Sequence, residues 1–212
     1  MSYYSSDLIA EHIKDRPISI VVPGGKTPIL IYKNLFKKKI NFSNICFILS
    51  DERLVKSTNN NSNYGMLSNI IQNSLPEDKR PKILPRMDLF NNFKVNKFID
   101  YTNNALMNCP KIEFAFLGIG KDGHTASLFP NDEISDMERY YYKVKYNEDY
   151  ERITLSMNFL CKIQKIFFIA SGKSKQKAIK NILSQKRNDL PASQLINYHS
   201  GSVNFIINEI NV

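Results

Sequence analysis

At 212 residues, with 42% hydrophobic content and a net charge of +9, the chain suits one α/β domain, read as a single unit over residues 1–212. No apolar run reaches the length of a membrane span, and Met1 to Ala10 lacks a basic region followed by an apolar one. A soluble, cytoplasmic monomer without a membrane partner is therefore expected.

The lysine excess carries little functional information. Lys37-Lys38-Lys39 and the lysines from Lys173 to Lys186 lie on segments whose opposite faces are apolar, the pattern of solvated helix faces. There is no basic stripe with interleaved aromatics and no nucleic-acid module, so no nucleic-acid partner is expected. A basic surface would also attract a small anion. Cys46, Cys109 and Cys161 are odd in number, widely separated and set among apolar neighbours. They read as reduced core thiols, without a zinc-binding spacing.

In chain order, Met1 to Arg16 holds a weak helical pattern, with His12 on the surface, before Pro17. Ile18 to Val22 is a β-branched strand that runs into Pro23-Gly24-Gly25-Lys26-Thr27-Pro28. Ile29 to Lys39 follows as a helix, with Thr27 as N-cap and Pro28 at the first helical position. A strand, a glycine pair and a helix start make a ready anion site, where free N–H groups and the positive dipole end converge. Lys26 adds charge; a plain βα turn is the alternative.

Ile45 to Leu49 is a second apolar strand, ending in Ser50-Asp51-Glu52-Arg53. These three charges are expected to line the same face as the glycine loop, where an arginine can fork onto an oxyanion. A surface ion-pair cluster is the competing reading. Asn63 caps a helix from Tyr64 to about Gln72, Lys82 to Leu84 is a short edge strand, and Asn91 to Asn108 is a helix. Ile112 to Leu117 is a buried strand opening into Gly118-Ile119-Gly120-Lys121-Asp122-Gly123-His124. Tyr140 to Tyr146 and Arg152 to Ser156 alternate as strands. Ile163 to Ala170 is strongly apolar and leads through Ser171-Gly172-Lys173-Ser174-Lys175 to a helix with Ala178, Ile179, Ile182 and Leu183 on one face. Pro191 to Leu195 is a helical turn, His199 is structural, and Val203 to Ile207 is a last strand.

Gly118-x-Gly120-x-x-Gly123 also spells the dinucleotide fingerprint, which needs a long helix packed on its last glycine. Pro130 follows Gly123 by seven residues, room for only about two helical turns. The element order instead fits a doubly wound, mostly parallel sheet with helices on both faces, a Rossmann-like α/β fold. Every chemically interesting segment follows a strand: Gly24 to Thr27, Asp51 to Arg53, Gly118 to His124 and Gly172 to Lys175. That convergence points to an enzyme acting on a small phosphorylated substrate, with His124 as general acid or base.

PGGKTP, SDERLV, NYGM, LGIGKDGHTASLFP, RITLS, SGKSK and LPASQL occur in the order and approximate spacing of the 6-phosphogluconolactonases, which the chain resembles from about Ile18 to Leu195. The related glucosamine-6-phosphate deaminases and isomerases resemble it less. Their histidine block continues into an Asn-Glu-Pro-like segment where Ser127-Leu128-Phe129-Pro130 stands here, and they lack the arginine found here as Arg53.

The resemblance implies hydrolysis of 6-phospho-D-glucono-1,5-lactone to 6-phosphogluconate. His124 would be the general base, Asp122 would orient its ring, and Arg53 would hold substrate and stabilise charge developing on oxygen. Gly24, Gly25, Thr27 and Lys175 would take the phosphate, with Lys26 assisting and Lys177 a rival to Lys175. Asp51, Gly120 and Gly123 join the substrate-binding set. Neither a metal nor another cofactor is called for, and the absence of a GxSxG elbow speaks against a serine nucleophile. A deaminase or isomerase, or a non-catalytic sugar-phosphate sensor, are the alternatives. Pro23 and Lys26 stand where serine is usual in the family, and the segment before the first glycine loop is short.

Overall fold

The computed structural model describes residues 1–13, 16–130, 139–145, 150–184 and 186–210. The chain opens with α1 (Ser2–His12), β1 (Ile18–Val22), α2 (Ile29–Leu35), β2 (Ile45–Leu49) and β3 (Asp51–Arg53). It continues with α3 (Asn63–Ser74), β4 (Lys82–Leu84), α4 (Val95–Met107) and β5 (Ile112–Gly118). Next come β6 (Tyr141–Lys145), β7 (Glu151–Leu155), α5 (Met157–Cys161), β8 (Lys165–Ser171), α6 (Gln176–Leu183), α7 (Pro191–Tyr198) and β9 (Ser202–Asn208). The expected α/β architecture is found: a six-stranded sheet in the order β4-β2-β1-β5-β8-β9, parallel at every pairing.

Its inner strands are mostly apolar because both faces are covered. Along β5, Phe114 and Phe116 enter one core with Ile9 of α1, Leu35 of α2 and Leu67 of α3. Ala115 and Leu117 enter the other, with Phe98 of α4, Ile179 of α6 and Leu195 of α7. Two alternating sets on one strand therefore bind two helical layers, and the loops at the carboxyl ends are left to converge.

The two alternating strands expected near 140 and 152 pair with segment 51–53 in a second sheet, which is three-stranded and antiparallel, in the order β3-β7-β6. Ser50 joins the two sheets: its N–H donates to Val22 O at 2.9 Å, and Leu155 N–H donates to its carbonyl at 2.9 Å. The Tyr141 hydroxyl donates to Leu49 O from the same ribbon. Segment 51–53, read from sequence as a charged loop end, is thus a strand.

Local boundaries move for physical reasons. Pro28, not Thr27, is the N-cap of α2, without a side-chain cap bond, and the helix stops at Leu35, short of the expected Lys39; Thr27 is left on the cavity wall. Ser62, not Asn63, caps α3, its Oγ accepting from Gly65 N–H at 3.0 Å. His12 is half-buried, its ring edge-on to Phe114 at 4.8 Å, with Nδ1 donating to Leu8 O. His199 is structural as expected: Gly201 N–H donates to its Nδ1, leaving Nε2–H for Ile163 O. Tyr146, the far end of the expected strand from Tyr140, lies outside the described residues.

Candidate active site

A cavity of about 310 Å³ lies over the carboxyl ends of β1, β2, β5 and β8, the edge where open α/β sheets bind ligands. Three loops and two strands of the antiparallel ribbon contribute to its walls. The first loop runs from Pro23 to Pro28 and brings Gly24, Gly25, Lys26 and Thr27 to the cavity. It is held from below by Asn63, whose Oδ1 accepts from Gly25 N–H at 3.2 Å and whose Nδ2 donates to Asp51 O at 3.0 Å. A side chain on Gly24 would meet the Asn63 carboxamide at 2.0 Å, so glycine there is a condition of that strut.

Strand β3 alternates, as strands must. Asp51 and Arg53 face the cavity, while Glu52 turns the other way and is fully buried. It accepts from the N–H groups of Arg53, Asn63 and Tyr64 at 2.7, 2.8 and 2.6 Å, and from Ser62 Oγ at 3.1 Å. Glu52 is therefore the anchor of the α3 amino terminus, correcting the expectation that all three charges line the site. Burial pushes its carboxyl up to about 7, against the pull of those N–H donors.

Asp51 lines the cavity with both carboxylate oxygens engaged: Ser127 Oγ donates to Oδ2 at 2.6 Å and Ser50 Oγ to Oδ1 at 3.2 Å. Arg53 donates from one terminal nitrogen to Asn61 O at 2.8 Å, and its Nε is buried without a partner among the described residues.

The loop after β5 presents His124. Its Nδ1 meets Asp122 Oδ1 at 2.6 Å, and the same oxygen accepts from His124 N–H at 3.2 Å. With Nδ1–H pointed at the carboxylate, Nε2 is the nitrogen with a lone pair to offer. Partial burial pushes the Asp122 carboxyl up, but the His124 charge and hydrogen bonds outweigh it and hold the group below the usual carboxylate range. Phe129 supports the ring at 4.9 Å between centroids. Gly120 makes room for the imidazole, since a Cβ there would lie 2.1 Å from Nδ1. Gly123, placed with the substrate-binding residues by the sequence, is not on the cavity wall. It turns in the left-handed region (φ +89°), and a Cβ would run into Leu190 at 2.8 Å, so its role is packing. Ala126, at φ +51°, is a non-glycine left-handed residue on the wall.

After β8, Lys175 reaches the cavity and donates to Ile119 O. Burial, and then the charge of Lys121, hold its ammonium below the usual lysine value. Lys177 lines a different cavity, with Lys173 and Lys180, so geometry separates the two candidates.

Sequence reasoning missed Arg152. It lies on β7 directly across from Arg53, so the two side chains share the cavity face, and it is only 6% exposed. Its Nη1 donates to Ser127 Oγ at 3.4 Å and stands 3.9 Å from Asp51 Oδ2, with the guanidinium 5.7 Å from the Phe129 ring centre. The local signal was an arginine two residues before Thr154 in an alternating run; the partner strand could not be read from it.

A cavity ringed by two arginines, three lysines and a glycine loop, with an Asp-His pair on one wall, is the arrangement of a sugar-phosphate enzyme. The sequence model described as glucosamine-6-phosphate isomerases/6-phosphogluconolactonase matches residues 3–205, and the chain belongs to that family. It is 29% identical over 184 residues to the 6-phosphogluconolactonase of Haemophilus influenzae, covering 84% of this chain and 78% of that one. With the Chlamydia pneumoniae 6-phosphogluconolactonase it shares 30% identity over 84% of this chain and 71% of the relative. The crystal structure of a 6-phosphogluconolactonase from Shewanella baltica has the same fold, with a TM-score of 0.81, 22% identity, and coverage of 98% of this chain and 94% of that one.

Proposed function

We propose that this chain hydrolyses 6-phospho-D-glucono-1,5-lactone to 6-phospho-D-gluconate, the second step of the oxidative pentose phosphate pathway. The observation that carries the reading is the Asp122–His124 pair, bonded at 2.6 Å, in a cavity also lined by Arg53, Arg152 and Lys175. The names of the curated relatives favour the lactonase over the isomerase half of the family.

In this reading Gly24, Gly25, Thr27 and Lys175 take the phosphate, and Lys26 adds charge at the cavity mouth. His124 Nε2 removes a proton from the water that attacks the lactone carbonyl. Asp122 fixes the ring and stabilises the imidazolium that forms. Arg53 and Arg152 face the oxygen on which negative charge collects, first in the tetrahedral intermediate and then in the carboxylate product. The proton held by His124 then passes to the ring oxygen as the C–O bond breaks. A lactone is an activated ester, so an imidazole base and two guanidinium groups suffice.

Lys175→Ala is expected to raise KM about 10-fold or more with kcat little changed, the pattern of lost ground-state binding. Lys177→Ala should leave both constants alone. Arg152→Gln should lower kcat/KM about 10–100-fold, through weaker stabilisation of the developing oxyanion. It should also cost about 1–3 kcal/mol of stability, because Asp51 loses a charged neighbour in a buried setting. Steady-state kinetics and urea unfolding check all three variants.

The proposal is tested by comparing 6-phosphogluconolactone, the same lactone without phosphate, and glucosamine 6-phosphate. The phosphorylated lactone should be preferred by at least about 100-fold in kcat/KM, with no ammonia released from glucosamine 6-phosphate. Ammonia release in place of lactone opening would assign the chain to the isomerase side of the family.

A further inference from the structure

Two of the three cysteines meet at the opposite edge of the sheet from the cavity. Cys46 is the second residue of β2, in register with Ser19 of β1 and Lys82 of β4. Cys109 follows the carboxyl end of α4. Their sulfurs are 3.5 Å apart, although the residues are 63 positions apart in sequence. Five residues along the strand direction separate Cys46 from Asp51, about 16 Å at ordinary strand rise.

The two thiols are not equivalent. Cys46 is 2% exposed, whereas Cys109 is half-buried and open to solvent on one side. The Cys109 thiol is directed at Ala105 O at 3.4 Å, which leaves the Cys46 proton as the one between the sulfurs. The hydrogen bond from Cys46 holds the Cys109 thiol below the ordinary thiol range against partial burial, with the Lys82 charge helping. The same contact and deep burial push Cys46 up. Cys161 is half-buried too, but burial pushes its thiol up.

We propose that Cys46 and Cys109 form a peroxide-oxidised dithiol, with Cys109 as the attacking sulfur and Cys46 as the resolving one. The Cys109 thiolate attacks one oxygen of hydrogen peroxide; an S–O bond forms, the O–O bond breaks, and the departing hydroxide takes up a proton as water. The Cys46 sulfur then attacks the Cys109 sulfenic acid. An S–S bond forms, the S–O bond breaks, and a second water leaves with the Cys46 proton. Two thiols and one peroxide become one disulfide and two waters. The sulfurs must close from 3.5 Å to about 2.05 Å, a movement that the short connection from α4 to β5, which carries Cys109, can supply. The bond would tie α4 to β2 without touching the catalytic residues.

The test treats the reduced, folded full chain with hydrogen peroxide in small molar excess, alkylates the remaining thiols after unfolding, and maps peptides by mass. The expected result is a Cys46–Cys109 linked peptide, two hydrogens lighter than the reduced pair, at about one-tenth or less of the peroxide needed to oxidise Cys161. In Cys46→Ser, which keeps an O–H donor toward Cys109 but cannot form the disulfide, Cys109 should stop at the sulfenic acid and take up one dimedone group; Cys109→Ser should give neither link nor adduct. Alkylation of both Cys46 and Cys109 at peroxide levels that oxidise Cys161 would overturn the proposal. A Cys46→Ser chain with wild-type circular dichroism and no dimedone adduct at Cys109 would overturn it as well.

Discussion

His124→Ala is expected to lower kcat for lactone opening by about 10²–10⁴-fold, the usual contribution of a positioned proton-transfer group, while affinity for 6-phosphogluconate changes little. The separation follows from placement. His124 stands on the loop after β5, with Nδ1 committed to Asp122 at 2.6 Å, whereas Lys175 and the Gly24–Thr27 loop come from the ends of β8 and β1. Removing the imidazole leaves those anion contacts in place. It also leaves Arg53 and Arg152, so the residual rate should stay above the spontaneous one, because electrostatic stabilisation survives loss of the base. Asp122→Asn should act in the same direction but less strongly, since the ring remains and only its orientation and charge compensation are lost. Coupled assays for kcat, with calorimetric titration of 6-phosphogluconate, read the two effects separately. Loss of product affinity equal to the loss in kcat would place His124 in binding instead.

The largest effect on stability is expected at Glu52. Its carboxylate accepts from three N–H groups and one hydroxyl while fully buried. Glu52→Ala strands those donors at the start of α3, and each buried unsatisfied group costs about 1–3 kcal/mol. Partial rehydration recovers some of this, so a total of about 3–5 kcal/mol is expected. Function should suffer as well, because Asn63, which holds Gly25, sits at that helix start. KM should therefore rise even where the variant is folded.

The wild-type protein should also carry a pH signature from this residue. Burial raises the folded Glu52 carboxyl to about 7, above the ordinary value of about 4.3, so the folded chain binds this proton more tightly than the unfolded one. Its contribution to stability is then complete in acid below the ordinary value and is lost as pH climbs toward 7. Glu52→Gln should flatten that part of the stability profile, measured by urea unfolding across the window.

What the sequence made legible was local. Each loop at a strand's carboxyl end carries its own signal: the glycine pair before a helix, the Asp-Gly-His segment after β5, and the Gly-Lys junction after β8. A parallel sheet brings such ends together without further instruction. Pairing between distant strands was not legible. Arg53 and Arg152 face one another only because β3 and β7 run antiparallel in a particular register, and nothing within a few residues of either arginine announces it. The same hidden strand explains the misreading of Glu52: three charges in a loop can all face one way, whereas three in a strand alternate. Gly123 shows the same limit: a glycine needed for close packing against Leu190 looks in sequence like one needed for a ligand. Asn63 was read as a cap, one residue away from the true cap Ser62, and its span from Gly25 to Asp51 emerges only in three dimensions.

The most direct measurement is lactone opening itself. The substrate is generated fresh by glucose-6-phosphate dehydrogenase, product is followed with 6-phosphogluconate dehydrogenase, and the spontaneous rate is subtracted. The account predicts a rate that rises in proportion to wild-type enzyme and falls nearly to background in His124→Ala. A folded wild-type protein that binds 6-phosphogluconate in the cavity yet leaves the lactone opening at its spontaneous rate would contradict it, and would make the site a sugar-phosphate sensor.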